Sequence, residues 1–187
     1  RVDREENRDA MRSMIRAIDE SSRAAGQLLD HAMIAFRADH LERETIDLVE
    51  LLRELVLRMT PVAEMKDLSL GLVCAEPVTV SGDPILIQNA VRNLIDNAVK
   101  YAPPDSRVEI TLTSAPQAEI SVCDRGPGFP PDEIEVLTMR FQRGQNAQDT
   151  VGSGLGLTIA LAVAEAHGGG LVLSNRNGGG ACVTLSL

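Results

Sequence analysis

The chain has 187 residues, a formal net charge of −9 and an apolar share of 44%, with no Trp and one Tyr. This length holds one domain of usual size with some extra, and its core must be aliphatic. The acidic excess and the scarcity of aromatic side chains argue against nucleic-acid binding, which needs a basic surface and stacking platforms.

The three cysteines, Cys74, Cys123 and Cys182, show no metal-ligand spacing. Since an odd number cannot all pair, we expect reduced thiols, buried as small apolar side chains in a cytoplasmic protein.

No apolar run approaches membrane-spanning length and there is no signal peptide, so we expect no membrane contact by this chain. Because it begins at Arg1 without Met, we expect it to be a piece of a longer protein.

The first predicted element is one long helix over about residues 4–38. Its apolar residues keep a helical repeat between charged residues, with Gly26 inside it. Such an apolar stripe needs a partner, so we expect this helix to pack on another helix or on a second chain. His31 lies within the helix and His40 in the linker after it, and a packing or surface role is favoured for both.

Two capped helices follow. A short extended piece at 45–48 leads into an amphipathic helix, for which Asp47 and Glu50 have capping-box spacing. Asp83 and Pro84 open the next helix, because Asp caps free N–H groups and Pro at the first helical position loses nothing. Two strand candidates lie between the helices, at 68–73 and 78–80.

The rest of the chain alternates strands and helices. The predicted elements are antiparallel strands at 107–113 and 118–123, a short helix at 132–139, a polar loop at 142–150, an apolar helix at 154–167 and a closing hairpin of 171–174 and 181–187. This order predicts an α+β fold, a two-layer α/β sandwich whose mixed sheet carries helices on one face.

The helix after Pro84 carries the most informative pattern. Residues 89, 93, 97 and 100 share one face, which reads Asn89, Asn93, Asn97 and Lys100 with Asp96 beside it. Most such stripes are the solvated side of a helix. Asn is a poor residue inside helices, however, and three at one-turn intervals before a Lys suit a hydrated Mg²⁺ ion beside phosphates.

Two glycine-rich segments accompany this helix. Asp124-Arg125-Gly126-Pro127-Gly128 follows a strand directly, where the carboxylate could accept from an exocyclic amine such as that of adenine, although alone a plain turn is favoured. Gly152-Ser153-Gly154-Leu155-Gly156-Leu157-Thr158 precedes an apolar helix, so its N–H groups could bind phosphate. It lacks the context of a dinucleotide fold and the Gly-Lys-Ser/Thr of a P-loop, which makes it weak evidence alone.

In this order the segments resemble the ATP-binding domain of sensor histidine kinases, within the gyrase/chaperone/kinase/mismatch-repair (GHKL) ATPase superfamily. Residues 93–101 resemble the N-box, and Asp124–Gly128 the first glycine box. Arg140-Phe141-Gln142-Arg143 is similar to the F-box with its following Arg, and Gly152–Gly156 to the second glycine box. The resemblance implies a Bergerat-type ATP-binding domain over residues 46–187. Residues 1–45 would supply a linker and the second helix of a dimerisation hairpin.

The resemblance also implies residue roles. Asn97 would ligate Mg²⁺ with help from Asn93, Asp124 would read the adenine amine, and Arg143 would touch the γ-phosphate of ATP. The candidate catalytic residues are Asn93, Asp96, Asn97 and Arg143. The other nucleotide-binding candidates are Lys100, Tyr101, Gly126, Gly128, Gly152, Ser153, Gly154, Leu155, Gly156 and Leu157. Gln142 replaces the aromatic residue usual after the F-box Phe, and we expect looser packing of the loop there.

Two reactions are open to this superfamily. In gyrase-type and chaperone-type members a Glu four residues before the metal-binding Asn activates water, and here that position is Asn93. A carboxamide cannot take up a proton at neutral pH, so transfer to a protein His is favoured over hydrolysis, with Asp96 left as a weak base. From that His the phosphoryl group would pass to an Asp of a response-regulator receiver domain.

The family's phosphoacceptor pattern is missing around His31, His40 and His167. We therefore expect the acceptor on a helix absent from this chain, in a homodimeric parent protein anchored in the membrane. The alternative is a nucleotide-binding interaction module, or a degenerate kinase, that dimerises without phosphotransfer.

Overall fold

The structure is a computed structural model and describes residues 41–74, 76–114, 116–130, 134 and 155–187, together with Met11 and Met14. The expected first helix, the helix at 132–139 and the loop at 142–150 lie outside the described residues, apart from isolated positions. The expected division into 1–45 and 46–187 stays a prediction.

The described residues form seven strands and three helices. In chain order these are β1 (Glu44–Asp47), α1 (Leu48–Glu64), β2 (Ser69–Cys74), β3 (Thr79–Gly82), α2 (Pro84–Tyr101), β4 (Arg107–Thr113), β5 (Glu119–Cys123), α3 (Leu155–Ala166), β6 (Leu171–Asn175) and β7 (Ala181–Ser186). The predicted elements in these ranges are confirmed, with boundaries that differ by one or two residues.

Five of the strands form one mixed sheet in the order β2-β4-β5-β7-β6, and β1 pairs with β3 separately. The β2–β4 pair is parallel and the other pairs are antiparallel. Along β4, Val108, Ile110 and Leu112 are buried while the terminal residues are exposed, so one sheet face meets the helices. The predicted α+β sandwich with helices on one face is confirmed.

An aliphatic core fills the space between helices and sheet, as the composition requires. The largest fully buried side chains of the described ranges are Leu48, Leu52, Leu86, Ile87, Val91, Leu94, Ile95, Ile110, Leu112, Ile120, Ile159 and Leu185. Helix α2 contributes five of the twelve, so its apolar face is the centre of the core. Rotation of α2 about its own axis would expose these side chains to water. Because each Å² of buried apolar surface contributes roughly 25 cal/mol, such a rotation is unfavourable and the orientation of α2 is fixed.

Both predicted N-caps are present. Asp47 Oδ1 accepts hydrogen bonds from the backbone of Val49 (2.9 Å) and Glu50 (3.2 Å) at the start of α1. Asp83 caps α2 in the same way, and its side chain is fully buried. Because the orphan N–H groups of a first turn need acceptors, each cap contributes about 1 kcal/mol.

The end of α3 is joined to the start of α2 through His167. Its Nε2 accepts a hydrogen bond from the backbone N–H of Asp83 (3.0 Å), and Nδ1 lies 2.7 Å from the carbonyl oxygen of Val163. Since Nε2 is the acceptor, the hydrogen of the neutral ring is on Nδ1 and is donated to Val163. His167 is therefore a structural residue, in agreement with the missing phosphoacceptor pattern.

The cysteines correct one expectation. Cys123 and Cys182 form a disulfide between β5 and β7, with their Cα atoms 4.1 Å apart, and Cys74 alone is free. The prediction of three reduced thiols was wrong for this pair. Its partners are 59 residues apart in sequence and become neighbours only through the β5–β7 register, in which they lie directly opposite.

We predict that His167→Ala lowers the free energy of unfolding by about 1–3 kcal/mol, since the Asp83 N–H loses a buried acceptor. Urea unfolding followed by circular dichroism measures the loss. His167→Gln carries a carboxamide oxygen that can replace the ring nitrogen, so a smaller loss is expected. Equal stability of the parent chain and His167→Ala would show that this contact contributes nothing.

Candidate functional site

The asparagine face of α2 meets the start of α3. Gly156 is buried there, and a Cβ atom at this position would lie 3.2 Å from Asn97 Nδ2 and 3.5 Å from Asn93 Oδ1. The absence of a side chain therefore lets α3 approach both asparagines. The structure thus brings the last glycine of the second glycine-rich segment onto the predicted N-box.

The two asparagines differ in their hydrogen bonding. Asn93 Nδ2 donates to the carbonyl oxygen of Asn89 one turn earlier (2.9 Å), and its Oδ1 is the atom that faces Gly156. Asn97 presents Nδ2 to Gly156 instead. Both carboxamides are partly exposed and so can reach a ligand.

Carboxamide oxygens are hard ligands of the kind that Mg²⁺ accepts, and Mg²⁺ usually retains several waters and binds substrate phosphates as well. Within the described ranges, no group of three or more His, Cys, Asp or Glu side chains could hold a metal by itself. A cation beside α2 would therefore depend on the asparagine oxygens, on water and on a bound phosphate chain. Asn93 and Asn97 fit such a shared site.

Asp124 is buried at the end of β5, with 6% of its surface exposed. Its Oδ1 accepts from the backbone N–H groups of Gly126 (2.7 Å) and Ala181 (3.2 Å), and its own N–H donates to the carbonyl of Ala181 (2.9 Å). The other carboxylate oxygen has no partner in the described part of the chain. Asp124 is thus held rigidly through one oxygen while the second can accept from a ligand amine.

The first glycine-rich segment rests on the last residue of α2. A Cβ atom at Gly126 would lie 2.5 Å from the carbonyl oxygen of Tyr101, closer than real contacts allow. Gly128 has φ +77°, which favours glycine. Helix α2 therefore contacts one glycine segment at its middle and the other at its end.

Asn175 was not foreseen as a site residue. Its Oδ1 accepts from the backbone N–H of Phe129, and its Nδ2 donates to the Phe129 carbonyl oxygen, both at 2.7 Å. These two hydrogen bonds resemble the pairing between two strands, and they fix the backbone directly after Gly128. The only sequence signal is an Asn at a strand end before glycines, which is equally typical of a turn.

Lys100 and Tyr101 lie in the last turn of α2 and are both exposed. Lys100 Nζ is 5.0 Å from the centroid of the Tyr101 ring, within the range of a cation–π contact. Because Gly126 packs against the Tyr101 backbone, the last turn of α2 lies next to the first glycine segment. That position agrees with a role at the rim of a ligand site.

Asp96 lies on α2 beside Arg92 and Lys66 rather than between Asn93 and Asn97. Partial burial of its carboxyl group raises its pKa above the ordinary value, and the positive charges of Arg92 and Lys66 offset part of that rise. The residue as a whole is exposed, so water screens this environment. Its role as a weak base stays a prediction.

The remaining candidates are only partly described. Leu155 begins α3, and Leu157 is partly buried against the core. Arg143, Gly152, Ser153 and Gly154 lie outside the described residues, as does the F-box segment. Their predicted contacts with phosphate stay predictions.

Residues 82–187 match the family model described as histidine kinase-, DNA gyrase B- and HSP90-like ATPase. The chain is 35% identical over 182 residues to the signal transduction histidine-protein kinase/phosphatase MprB of Mycolicibacterium vanbaalenii, covering 96% of this chain and 37% of that protein. It is 32% identical to the sensor protein KdpD of Escherichia coli, covering 89% of this chain and 19% of KdpD. The chain thus spans well under half of these relatives.

Solved structures agree with these matches. A mycobacterial sensor histidine kinase MprB superposes with a TM-score of 0.64 at 30% identity, covering 78% of this chain and 96% of that one. Full-length ShkA in complex with AMPPNP gives a TM-score of 0.73 at 27% identity, covering 92% of this chain and 37% of ShkA.

We predict that Gly126→Ala destabilises the fold by about 1–3 kcal/mol, because the new methyl group would push against the Tyr101 backbone. The matched control is Gly170→Ala, where a Cβ atom would meet its nearest neighbour, Ser186 Oγ, at an ordinary 3.9 Å. We expect the control to change stability by less than about 0.5 kcal/mol. Thermal unfolding of both variants tests this, and equal melting temperatures would contradict the packing described here.

Proposed function

The chain belongs to the family of histidine kinase-, DNA gyrase B- and HSP90-like ATPases, and from that premise we propose that it is the catalytic region of a two-component sensor histidine kinase. It binds Mg²⁺–ATP and delivers the γ-phosphoryl group to a His on a dimerisation helix. The observation that carries this proposal is the contact of both glycine segments with the asparagine-lined helix α2.

Adenine recognition falls to Asp124. A buried carboxylate with one oxygen fixed by Gly126 and Ala181 presents its other oxygen in a constant direction, which suits the exocyclic amine of adenine. Gly126 lets the loop that carries Asp124 pack directly against the end of α2, which fixes where this carboxylate stands. The clamp of Asn175 on Phe129 keeps the far side of this loop in place.

The phosphate chain lies between α2 and the start of α3. The N-terminal end of α3 offers backbone N–H groups and the positive end of the helix dipole to anions. Asn93 and Asn97 would hold the cation through their carboxamide oxygens, and Mg²⁺ would supply positive charge to neutralise the phosphates. Phosphoryl transfer depends mainly on such positioning and charge neutralisation.

The site favours transfer over hydrolysis. Hydrolysis by the gyrase-type route needs a carboxylate at the position of Asn93, and a carboxamide cannot act as a base. Asp96 faces Arg92 and Lys66 instead of the Asn93–Gly156 contact. His167 is engaged at both ring nitrogens, so the phosphoacceptor lies outside the described part of this chain.

The partners follow from this reaction. A response-regulator receiver domain takes the phosphoryl group from the acceptor His, and two copies of the parent protein associate through their helical regions. The similarity to the histidine kinase MprB supports a sensor kinase, and the similarity to ShkA, solved in complex with AMPPNP, supports a nucleotide site. The alternative, an interaction module without phosphotransfer, is less well supported, because Gly156 packs on Asn93 and Asn97 and Gly126 packs on the end of α2.

We predict that Asn97→Ala weakens binding of Mg²⁺–AMPPNP about tenfold or more, since one charge-assisted ligand contact contributes roughly 1.5–3 kcal/mol. Isothermal titration calorimetry measures the dissociation constant. Asn89→Ala, on the same helix two turns before Asn97, is the matched control and should bind like the parent chain.

Removal of Mg²⁺ makes this test specific. With a chelator present, the parent chain should bind the nucleotide more weakly, and the difference between it and Asn97→Ala should vanish. If Asn97→Ala bound as tightly as the parent chain in Mg²⁺, the metal assignment would be wrong.

We also predict that the chain self-associates, because the apolar stripe expected at about residues 4–38 needs a partner helix. Sedimentation velocity over a range of concentrations should show reversible association. Deletion of residues 1–40 should abolish it while leaving nucleotide affinity unchanged. A monomer at every concentration would contradict the proposed helical dimer contact.

A further inference from the structure

Cys123 and Cys182 lie opposite each other on the sheet face away from the helices. The bond from Asp124 N–H to the Ala181 carbonyl makes the adjoining pair a hydrogen-bonded one, so the cysteines form a non-hydrogen-bonded pair. In such pairs the Cα atoms are only about 4.5 Å apart and side chains come closest, and here the distance is 4.1 Å. The strand register therefore brings the two sulfur atoms together.

The pair adjoins the adenine-reading carboxylate. Cys123 directly precedes Asp124, and Cys182 directly follows Ala181. Asp124 is hydrogen-bonded to Ala181 through both its backbone N–H and its carboxylate. In sequence, both glycine-rich segments lie between the two cysteines. A bond between them thus joins the two ends of the chain segment that carries both glycine-rich segments.

A cation crosses the strands that carry the pair. Arg176 follows β6, and its Nη2 donates to Glu109 Oε2 on β4 at 2.8 Å. Because β7 and β5 lie between β6 and β4, the ion pair of Arg176 and Glu109 spans the strands of Cys182 and Cys123. Its Nη1 is buried without a hydrogen-bond partner in the described ranges, and we expect it to donate to a thiolate of the pair.

Cys74 provides an internal contrast. It lies on β2, at the opposite edge of the sheet from β6, and faces the helices rather than the solvent side. Burial raises the pKa of its thiol, which reduces the thiolate available at neutral pH. The three cysteines therefore differ in both pairing and environment.

We propose that Cys123 and Cys182 form a thiol–disulfide exchange site for low-molecular-weight disulfides of the glutathione type, and that its oxidation state sets nucleotide affinity. The second half of this inference rests on the proposed function. A thiolate of the pair attacks one sulfur of the small disulfide and releases one small thiolate. The second protein thiolate then attacks the resulting mixed disulfide and releases the other, so two protein thiols are oxidised, one disulfide is reduced and two protons leave.

The oxidised state is the tighter binder. The disulfide restrains the Asp124–Ala181 pair and so pre-orders the carboxylate before nucleotide arrives. We expect the reduced chain to bind Mg²⁺–AMPPNP about fivefold more weakly, in the usual range of coupling between two sites.

The experiment equilibrates the full chain in glutathione buffers of graded ratio. Alkylation and peptide mapping report each cysteine, and calorimetry reports Mg²⁺–AMPPNP affinity at each ratio. Cys123→Ser and Cys182→Ser should each bind with the reduced-state affinity at every ratio, whereas Cys74→Ser, the control, should keep the redox response. Circular dichroism confirms that each variant is folded.

The outcomes separate the two claims. A 123–182 disulfide with a fivefold affinity change supports both. If the disulfide forms and nucleotide affinity does not change, the coupling is overturned. If Cys123 and Cys182 form only mixed disulfides with glutathione, or are oxidised no more easily than Cys74, the exchange site is overturned. If the disulfide forms but neither state binds nucleotide, the coupling and the proposed function fail while the exchange site stands.

Arg176→Gln should slow exchange several-fold, and an unchanged rate would remove Arg176 from the site.

Discussion

The site depends on one constraint, the fixed rotation of helix α2. Its apolar face supplies five of the twelve largest fully buried side chains, so turning the helix would expose much of the core. The opposite face must then present Asn93 and Asn97 in one direction, and Gly156 lets α3 approach them without displacing their carboxamides. One face of α2 thus packs in the core, and this packing orients the asparagines on the opposite face.

Contacts at the two ends of α2 hold that arrangement. At the start, buried Asp83 caps the helix and its N–H donates to His167 after α3, so the two helices are joined beyond the site. At the end, Gly126 packs against Tyr101 and aligns the loop of Asp124. Since folded domains are stable by only about 5–15 kcal/mol, the loss of one such contact is a large fraction of the total.

Short sequence patterns predicted the features that depend on residues close together in the chain. The two faces of α2, the caps at Asp47 and Asp83, and the alternating strands β4 and β5 could all be read from short spacings, and the order of the motifs predicted the family. Pairings between distant residues could not. The Asn175 clamp on Phe129, the Arg176–Glu109 ion pair and the Cys123–Cys182 bond join residues 46, 67 and 59 positions apart, and each needs the strand register, which no spacing reveals. The expectation of reduced cysteines failed for this reason.

In the proposed site, one nucleotide contacts both glycine segments and the asparagine face of α2 at once. Chemical-shift mapping by nuclear magnetic resonance with Mg²⁺–AMPPNP tests this arrangement. We expect large shifts of the Gly126, Gly128 and Gly156 amides and of the Asn93 and Asn97 side-chain amides, with the β2 amides unchanged. Shifts confined to one glycine segment, or absent from the asparagines, would contradict a single shared site.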